Sequence, residues 1–425
     1  MLHMEDAQIR QLLLKGNFGL EKESLRVDEQ GFLAQTRHPF PDDDHIVRDF
    51  CENQTEINTP VTHSAAEAVA SLDYYHQKIQ LGLHQLTPRE YLWPFSNPPY
   101  IRSENDVPIA IFWGGRASKT EYREYLSDRY GRYKMTFSGI HFNFSFAEEL
   151  LQRGFALSGE KDYTEYKNQF YVALAEGAVA YGWLMVAVTA ASPLMDSSFV
   201  EKGKFDQDHF NGMASVRCGE MGYWNHFAPI LDYTNIRAYA DSIQSYVDNG
   251  LLRAPTELYY PVRLKPRGKN DLAVLREQGV DHIELRMIDV NPLMPCGVDE
   301  RDVVFAQLLL AWLAAMPRQT LSVKDQIQAV QNFKNAAHYD LKTVKIVMPD
   351  GTVSSVADAA LHVLAMMREF YRDFPADVQS VLEFETEKFL DAEKRYAWII
   401  RKEFSGGYVR KGLELAKKRQ EELNV

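Results

Sequence analysis

Carboxylates recur at every second position in several short stretches of this chain. On an extended strand successive side chains point to opposite faces, so residues two apart share one. Over 18–27, Glu21 and Glu23 fall on one face with Gly19, while Leu20 and Lys22 point the other way. Over 49–59, Glu52, Gln54, Glu56 and Asn58 share a face. Over 133–146, Met135, Gly139, His141, Asn143 and Ser145 share one, with Ile140, Phe142 and Phe144 behind them. Over 282–288, His282, Glu284 and Arg286 lie opposite Ile283, Leu285 and Met287. Side by side, these strands make a floor crowded with carboxylates, which repel one another unless cations neutralise them. Hard oxygen ligands with one imidazole suit Mg²⁺ or Mn²⁺ bridging to phosphate oxygens. The rigid fork of Arg286 complements a phosphate. Alternating polar residues equally suit strands that face water, so spacing alone leaves both readings open and names no reaction.

These residues need a sheet to gather them and helices to back it. Beyond the strands already named, a strand pair is expected around 46–59 and a further strand over 257–265. Apolar residues at helical spacing predict helices over 5–14, 61–86, 119–131 and, longest, 163–190. After Glu300 the pattern is helical nearly to the end, with breaks at Pro317, 348–351 and Pro375. Residues with chemistry all precede Glu300, so the last third reads as a helical layer behind a sheet, an α+β architecture.

The 425 residues, 45% hydrophobic and 25% charged, suit a folded chain with a sizeable core. A net charge of -12 argues against sequence-independent binding to nucleic acid or anionic membrane. Cys51, Cys218 and Cys296 are too few and scattered for a disulfide framework, which fits a reducing cytoplasm. The first 15 residues mix charges through their length and do not read as a signal peptide. The apolar run 173–191, interrupted by Glu176 and Tyr181, reads as a buried helix rather than a membrane span.

Eight segments in order carry a family resemblance. GLEKESLRV (19–27) resembles the opening signature of bacterial glutamate–cysteine ligases, including the ligase half of bifunctional glutathione-making enzymes. DFCENQTEINTPV (49–61), YREYLSDRYG (122–131), SGIHFNFS (138–145), ASPLMDSSF (191–199), SVRCGEMGY (215–223), ELYYPVR (257–263) and IELRMIDVNPLMPCGVDE (283–300) continue the series. The resemblance spans roughly 17–302.

That resemblance implies an antiparallel sheet curled into a funnel of the glutamine synthetase/guanido kinase type, surrounded by helices. It implies one catalytic domain over 1–425, with the active-site sheet and helices in 1–300 and helical support in 301–425. The implied reaction is ATP-dependent ligation of the glutamate γ-carboxylate to the cysteine amine through an acyl phosphate, the first step of glutathione biosynthesis. Its cofactors are ATP and Mg²⁺ or Mn²⁺. Position by position, Glu21, Glu23, Asp49, Glu56, His141 and Glu284 match metal ligands, with Glu21, Glu284 and Arg286 central to catalysis. Arg286 matches a phosphate-contacting arginine and Asn143 a position near the nucleotide phosphates or metals, while Lys265 and Arg263 are basic positions on a neighbouring strand that are candidates to reach ATP. Arg123 matches a residue that holds glutamate. Phe50, Tyr122, Leu126, Arg217, Tyr223 and Tyr259 match positions around the acceptor amino acid, with Arg217 on its α-carboxylate. A cytoplasmic monomer or homodimer is expected.

Met135 departs from the pattern, since the best-studied bacterial members carry a glutamine there, near the acceptor pocket. A thioether in place of an amide makes a softer, more apolar pocket, which leaves open a γ-glutamyl ligase acting on another amine, or on ammonia. The chain ends after a Lys/Glu-rich helix over 412–423 without an appended ATP-grasp domain, which argues against a bifunctional enzyme. An inactive regulatory homologue is disfavoured because the matched acids are intact.

Overall fold

The computed structural model describes residues 2–200 and 204–423. Seven strands form one antiparallel sheet: β1 (Gly16–Val27), β2 (Ile46–Arg48), β3 (Gln54–Asn58), β4 (Tyr91–Leu92), β5 (Gly139–Phe146), β6 (Val262–Lys265) and β7 (His282–Asp289). Their spatial order is β2-β3-β1-β5-β7-β6, with β4 paired to the far end of β1. Alternation makes the sheet two-faced. Phe18, Leu20, Ile57, Ile140, Phe142, Phe144, Ile283 and Leu285 point to one side and are at most 1% exposed. Each contributes roughly 1.5–3 kcal/mol by leaving water. Helices Ala65–His84, Tyr163–Tyr181 and Glu300–Ala315 cover that side. Ser64 starts the first by accepting the Glu67 amide, and Asp162 starts the second by accepting the amides of Thr164 and Glu165.

One charged residue joins the core face. Lys22 is buried, with Nζ 3.0 Å from Nδ1 of His76 on helix Ala65–His84. Burial pulls the lysine down to about 7 and His76 well below its ordinary value. The pair therefore sheds its remaining charge as pH rises through neutrality.

The helix expected over 163–190 breaks into Tyr163–Tyr181 and Trp183–Thr189, bent by 55°. Gly182 sits at the bend, where an added Cβ would lie 2.4 Å from the Ala178 carbonyl and 2.7 Å from the Phe333 ring. Both helices are largely buried, and among the described residues no single helix is long and apolar enough to cross a membrane.

The strand expected over 133–146 starts only at Gly139, because Lys134–Thr136 forms a 3₁₀ turn. The one expected over 257–265 is shortened to Val262–Lys265 behind the turn Pro255–Glu257. The segment after Glu300 is not wholly helical, since Lys345–Val347 and Val353–Ser355 make a small hairpin around the expected break. Lys388 of helix Ala376–Leu390 donates to Asp302 and to the Val188 carbonyl, both at 3.0 Å, and so ties the C-terminal layer to the core.

Candidate active site

On its polar side the sheet brings acids from three strands together with His141 and Asn143 of a fourth. Glu21 stands opposite His141, Glu23 opposite Glu56, and Glu284 between Asn143 and Arg263. Nδ1 of His141 lies 2.9 Å from Glu21, whose other oxygen accepts from the Asn143 amide at 3.0 Å. Arg286 donates to Oε1 of Glu284 at 2.9 Å, and Nζ of Lys265 lies 3.3 Å from the same oxygen. Glu21, His141 and Glu284 each offer a ligand atom within 4.8 Å of the others. Among the described residues, Oε2 of Glu284 and Oδ1 of Asn143 are buried without a partner. Such atoms are costly unless something satisfies them, and a divalent cation fits acceptors of this kind.

Charge divides the floor in two. Burial pushes Glu21 and Glu284 up, but His141 outweighs it for the first, and Arg286, Lys265 and Arg263 for the second, so both stay below the usual carboxylate range. Burial, together with Arg286, lowers His141 to about 4, leaving a neutral imidazole able to ligate. In the other half Arg123, Arg217 and Arg286 do not offset burial and mutual repulsion. Burial and Asp49 raise Glu23 to about 8, burial raises Asp49, and burial with Asp49, Glu21 and Glu23 raises Glu56 well above its ordinary value. Three acids that resist ionising side by side need added positive charge.

A bulge shapes the next wall. Ile140 pairs with Ile288 and Phe142 with Leu285, so β7 carries one extra residue opposite His141. Arg286 and Met287 consequently both line one cavity, while Met287 stays buried in the same apolar cluster as Ile283 and Leu285. That cavity is also bounded by Glu23, Asp49, His141, Arg217, Tyr223 and Tyr259. A second cavity opens on the other side of the floor, bounded by Glu21, Asn143, Thr59, Arg267 and His282. The Glu21–His141 contact lies where the two meet.

Other expected residues fall at varying distances from this centre. Arg217 donates to the carbonyls of Arg286 at 2.8 Å and Ile288 at 3.4 Å, and lies directly over Gly139. Tyr223 and Tyr259 pack with ring centroids 4.0 Å apart. Arg123 donates to the Asp49 carbonyl at 2.6 Å, with its guanidinium 4.8 Å from the Phe112 ring. Tyr122 stacks on Tyr125 and accepts from Thr256 at 3.3 Å. Arg263 turns its guanidinium to the carbonyls of Thr256 and Leu258.

Met135 is corrected: it does not share a strand face with His141 and Asn143. It sits in the 3₁₀ turn, 2% exposed, in an apolar cluster with Phe50, Leu126, Tyr130 and Tyr259, behind the cavity wall. Glu52 likewise leaves the floor's face, because β3 starts at Gln54. It sits in the preceding turn, paired with Arg48 at 2.9 Å. Phe137, Trp224 and Tyr260 line the first cavity unforeseen. Their signal was adjacency to Ser138, Tyr223 and Tyr259, which periodicity cannot weigh.

A family model described as glutamate-cysteine ligase matches residues 1–251 and 228–336. The chain belongs to the glutamate–cysteine ligase family. Within the family, it is similar to the glutathione biosynthesis bifunctional protein GshAB of Listeria monocytogenes. The two are 34% identical over 440 residues, covering 99% of this chain and 56% of that protein. The chain thus spans a little over half the length of that relative. In fold it is similar to the glutamate–cysteine ligase of Francisella tularensis, solved in complex with AMP, at a TM-score of 0.84 and 23% identity. That match covers 96% of this chain and 89% of the other. A bifunctional glutathione synthetase from Pasteurella multocida gives a TM-score of 0.85 at 24% identity, covering 99% of this chain and 54% of that one. The antiparallel sheet wrapped in helices is accordingly the fold of the family.

Proposed function

We propose that this chain uses ATP to join the γ-carboxylate of L-glutamate to the amine of L-cysteine, giving γ-glutamylcysteine, ADP and phosphate. One observation carries the reading: an acid floor, part compensated and part short of positive charge, lying between two cavities. Phosphoryl transfer to a carboxylate needs little covalent help from a protein. It needs positioning and neutralisation of charge.

The second cavity has room for the nucleoside end of ATP, so that the triphosphate reaches the floor past Asn143 and Lys265. Glu21, Glu23, Asp49, Glu56, His141 and Glu284 would hold Mg²⁺ or Mn²⁺ there. When bound, these cations neutralise the phosphate oxygens and the charge that develops in transfer. Arg123, beside Asp49, holds glutamate with its γ-carboxylate toward the terminal phosphorus. Attack forms the γ-glutamyl phosphate and releases ADP. Arg286, kept charged by its acidic neighbours although burial opposes this, offers its fork to the transferring phosphoryl group. In the first cavity Arg217 takes the acceptor's α-carboxylate, with Tyr223 and Tyr259 beside its side chain. The amine attacks the acyl carbon, phosphate leaves, and the amide forms as the nitrogen loses its proton.

Acceptor identity is the finer part of the proposal. A panel of cysteine, 2-aminobutyrate, alanine and ammonium, read by phosphate release with ATP and glutamate, tests it. Cysteine should give the highest kcat/KM. Equal or higher turnover with another amine assigns the chain to that amine instead. No amine-dependent release removes the ligase reading.

A further inference from the structure

Amide formation needs the acceptor nitrogen held about 3–3.5 Å from the acyl carbon, in line for attack. The turn that presents Arg217 and Tyr223 must therefore keep a fixed place against the strand that presents Glu284 and Arg286. Asp289, the last residue of that strand, makes the connection. It is 1% exposed, and it lies outside the acid floor. One oxygen accepts the Ala191 amide at 2.9 Å and the Ser192 hydroxyl at 2.7 Å. The other accepts the Ser215 hydroxyl at 3.0 Å. The Ser215 oxygen in turn accepts the Cys218 amide at 3.1 Å, at the start of the turn 215–223. Arg217 closes the loop through its bonds to the carbonyls of Arg286 and Ile288.

A buried carboxylate is an expensive way to fill space. Here it gathers three donors from two separate segments onto one strand, and the charge opposing its burial is that of Arg217. We propose that Asp289 is a positioning residue. It locks the acceptor-binding turn 215–223 to the phosphate-handling strand β7 and so sets the affinity for the acceptor amino acid. The inference rests on the ligase reading above.

The test uses the full chain and the variants Asp289→Asn and Ser215→Ala. Three KM values are measured, for ATP, glutamate and acceptor, together with phosphate release without acceptor. In that side reaction the α-amine of the acyl phosphate attacks its own γ-carbonyl and expels phosphate, leaving 5-oxoproline. Asp289→Asn should raise the acceptor KM about tenfold while the other two stay within about twofold. Acceptor-free release should persist. Ser215→Ala, which keeps the Ala191 and Ser192 bonds, should give the same split at about threefold, and it carries the test if Asp289→Asn does not fold. Three KM values rising together, or an acceptor KM unchanged in the variants that fold, would overturn the inference. A wild-type chain with no acceptor-dependent release would instead overturn the ligase reading, whatever the variants do.

Discussion

Glu23 on β1 and Glu56 on β3 stand directly opposite each other in register, and burial, then the carboxyl of Asp49, raises both. Like charges across a strand pair destabilise it, so ionising both costs the metal-free fold stability as pH rises.

The first prediction concerns pH. Glu23 rises from an ordinary 4.5 to about 8, chiefly by burial and then by Asp49. Between those values the folded chain binds more protons than the unfolded chain, so stability falls as pH rises through the window. Calorimetry of the EDTA-treated protein should show a larger loss of Tm from pH 5.5 to 8.5 in the wild type than in Glu23→Gln, since Lys22 and His141 act in the opposite sense in both. Mg²⁺ at millimolar concentration should raise Tm more at pH 8.5 than at pH 6, because binding displaces protons at the lower pH. A larger Mg²⁺ effect at pH 6 contradicts this account.

Glu21→Gln keeps the shape and the Asn143 contact but removes a ligand charge. Phosphate release should fall by about 10²–10³ in kcat, with the unfolding midpoint in urea nearly unchanged. Glu284→Gln should behave differently. Arg286 and Lys265 both face the oxygens of Glu284, and stripping one partner from a buried ion cluster costs about 3–5 kcal/mol. That variant should lose both activity and stability.

Gly139→Ala tests the seat of Arg217. A Cβ there would lie 2.1 Å from Nη2 of Arg217, at the far end of a long side chain that is able to swing away. The fold should survive, while the acceptor KM rises about tenfold or more and the ATP KM holds.

Met135→Gln puts an amide into a dry apolar cluster instead of a ligand pocket. It should destabilise the protein by about 1–3 kcal/mol without changing the ratio of turnover with cysteine to turnover with 2-aminobutyrate. A changed preference would return position 135 to the cavity wall.

Much of this was readable from the chain because alternation survives folding. Glu21, Glu23, His141, Asn143 and Glu284 keep the faces that a period of two assigns them, since their apolar neighbours Leu20, Phe142 and Leu285 can go only inward. Long-range register was not readable: nothing local says that His141 meets Glu21. Where alternation broke, the reading broke with it. The bulge on β7 brought Met287 to the cavity wall as well as the core, and the 3₁₀ turn before β5 took Met135 out of the predicted face. Gly182 split an apolar run of uniform composition because of Phe333, which lies about 150 residues further along the chain. Asp289 gave no signal either, since one carboxylate after an apolar strand acquires meaning only when the turns around Ser192 and Ser215 fold onto it.

Anomalous diffraction from crystals grown with Mn²⁺ and a non-hydrolysable ATP analogue tests the floor most directly. The account predicts manganese within coordination distance of Glu21, His141 and Glu284, with a second ion beside Glu23, Asp49 and Glu56, and the terminal phosphate next to Arg286. Manganese bound elsewhere, or a triphosphate lying away from these side chains, would contradict it.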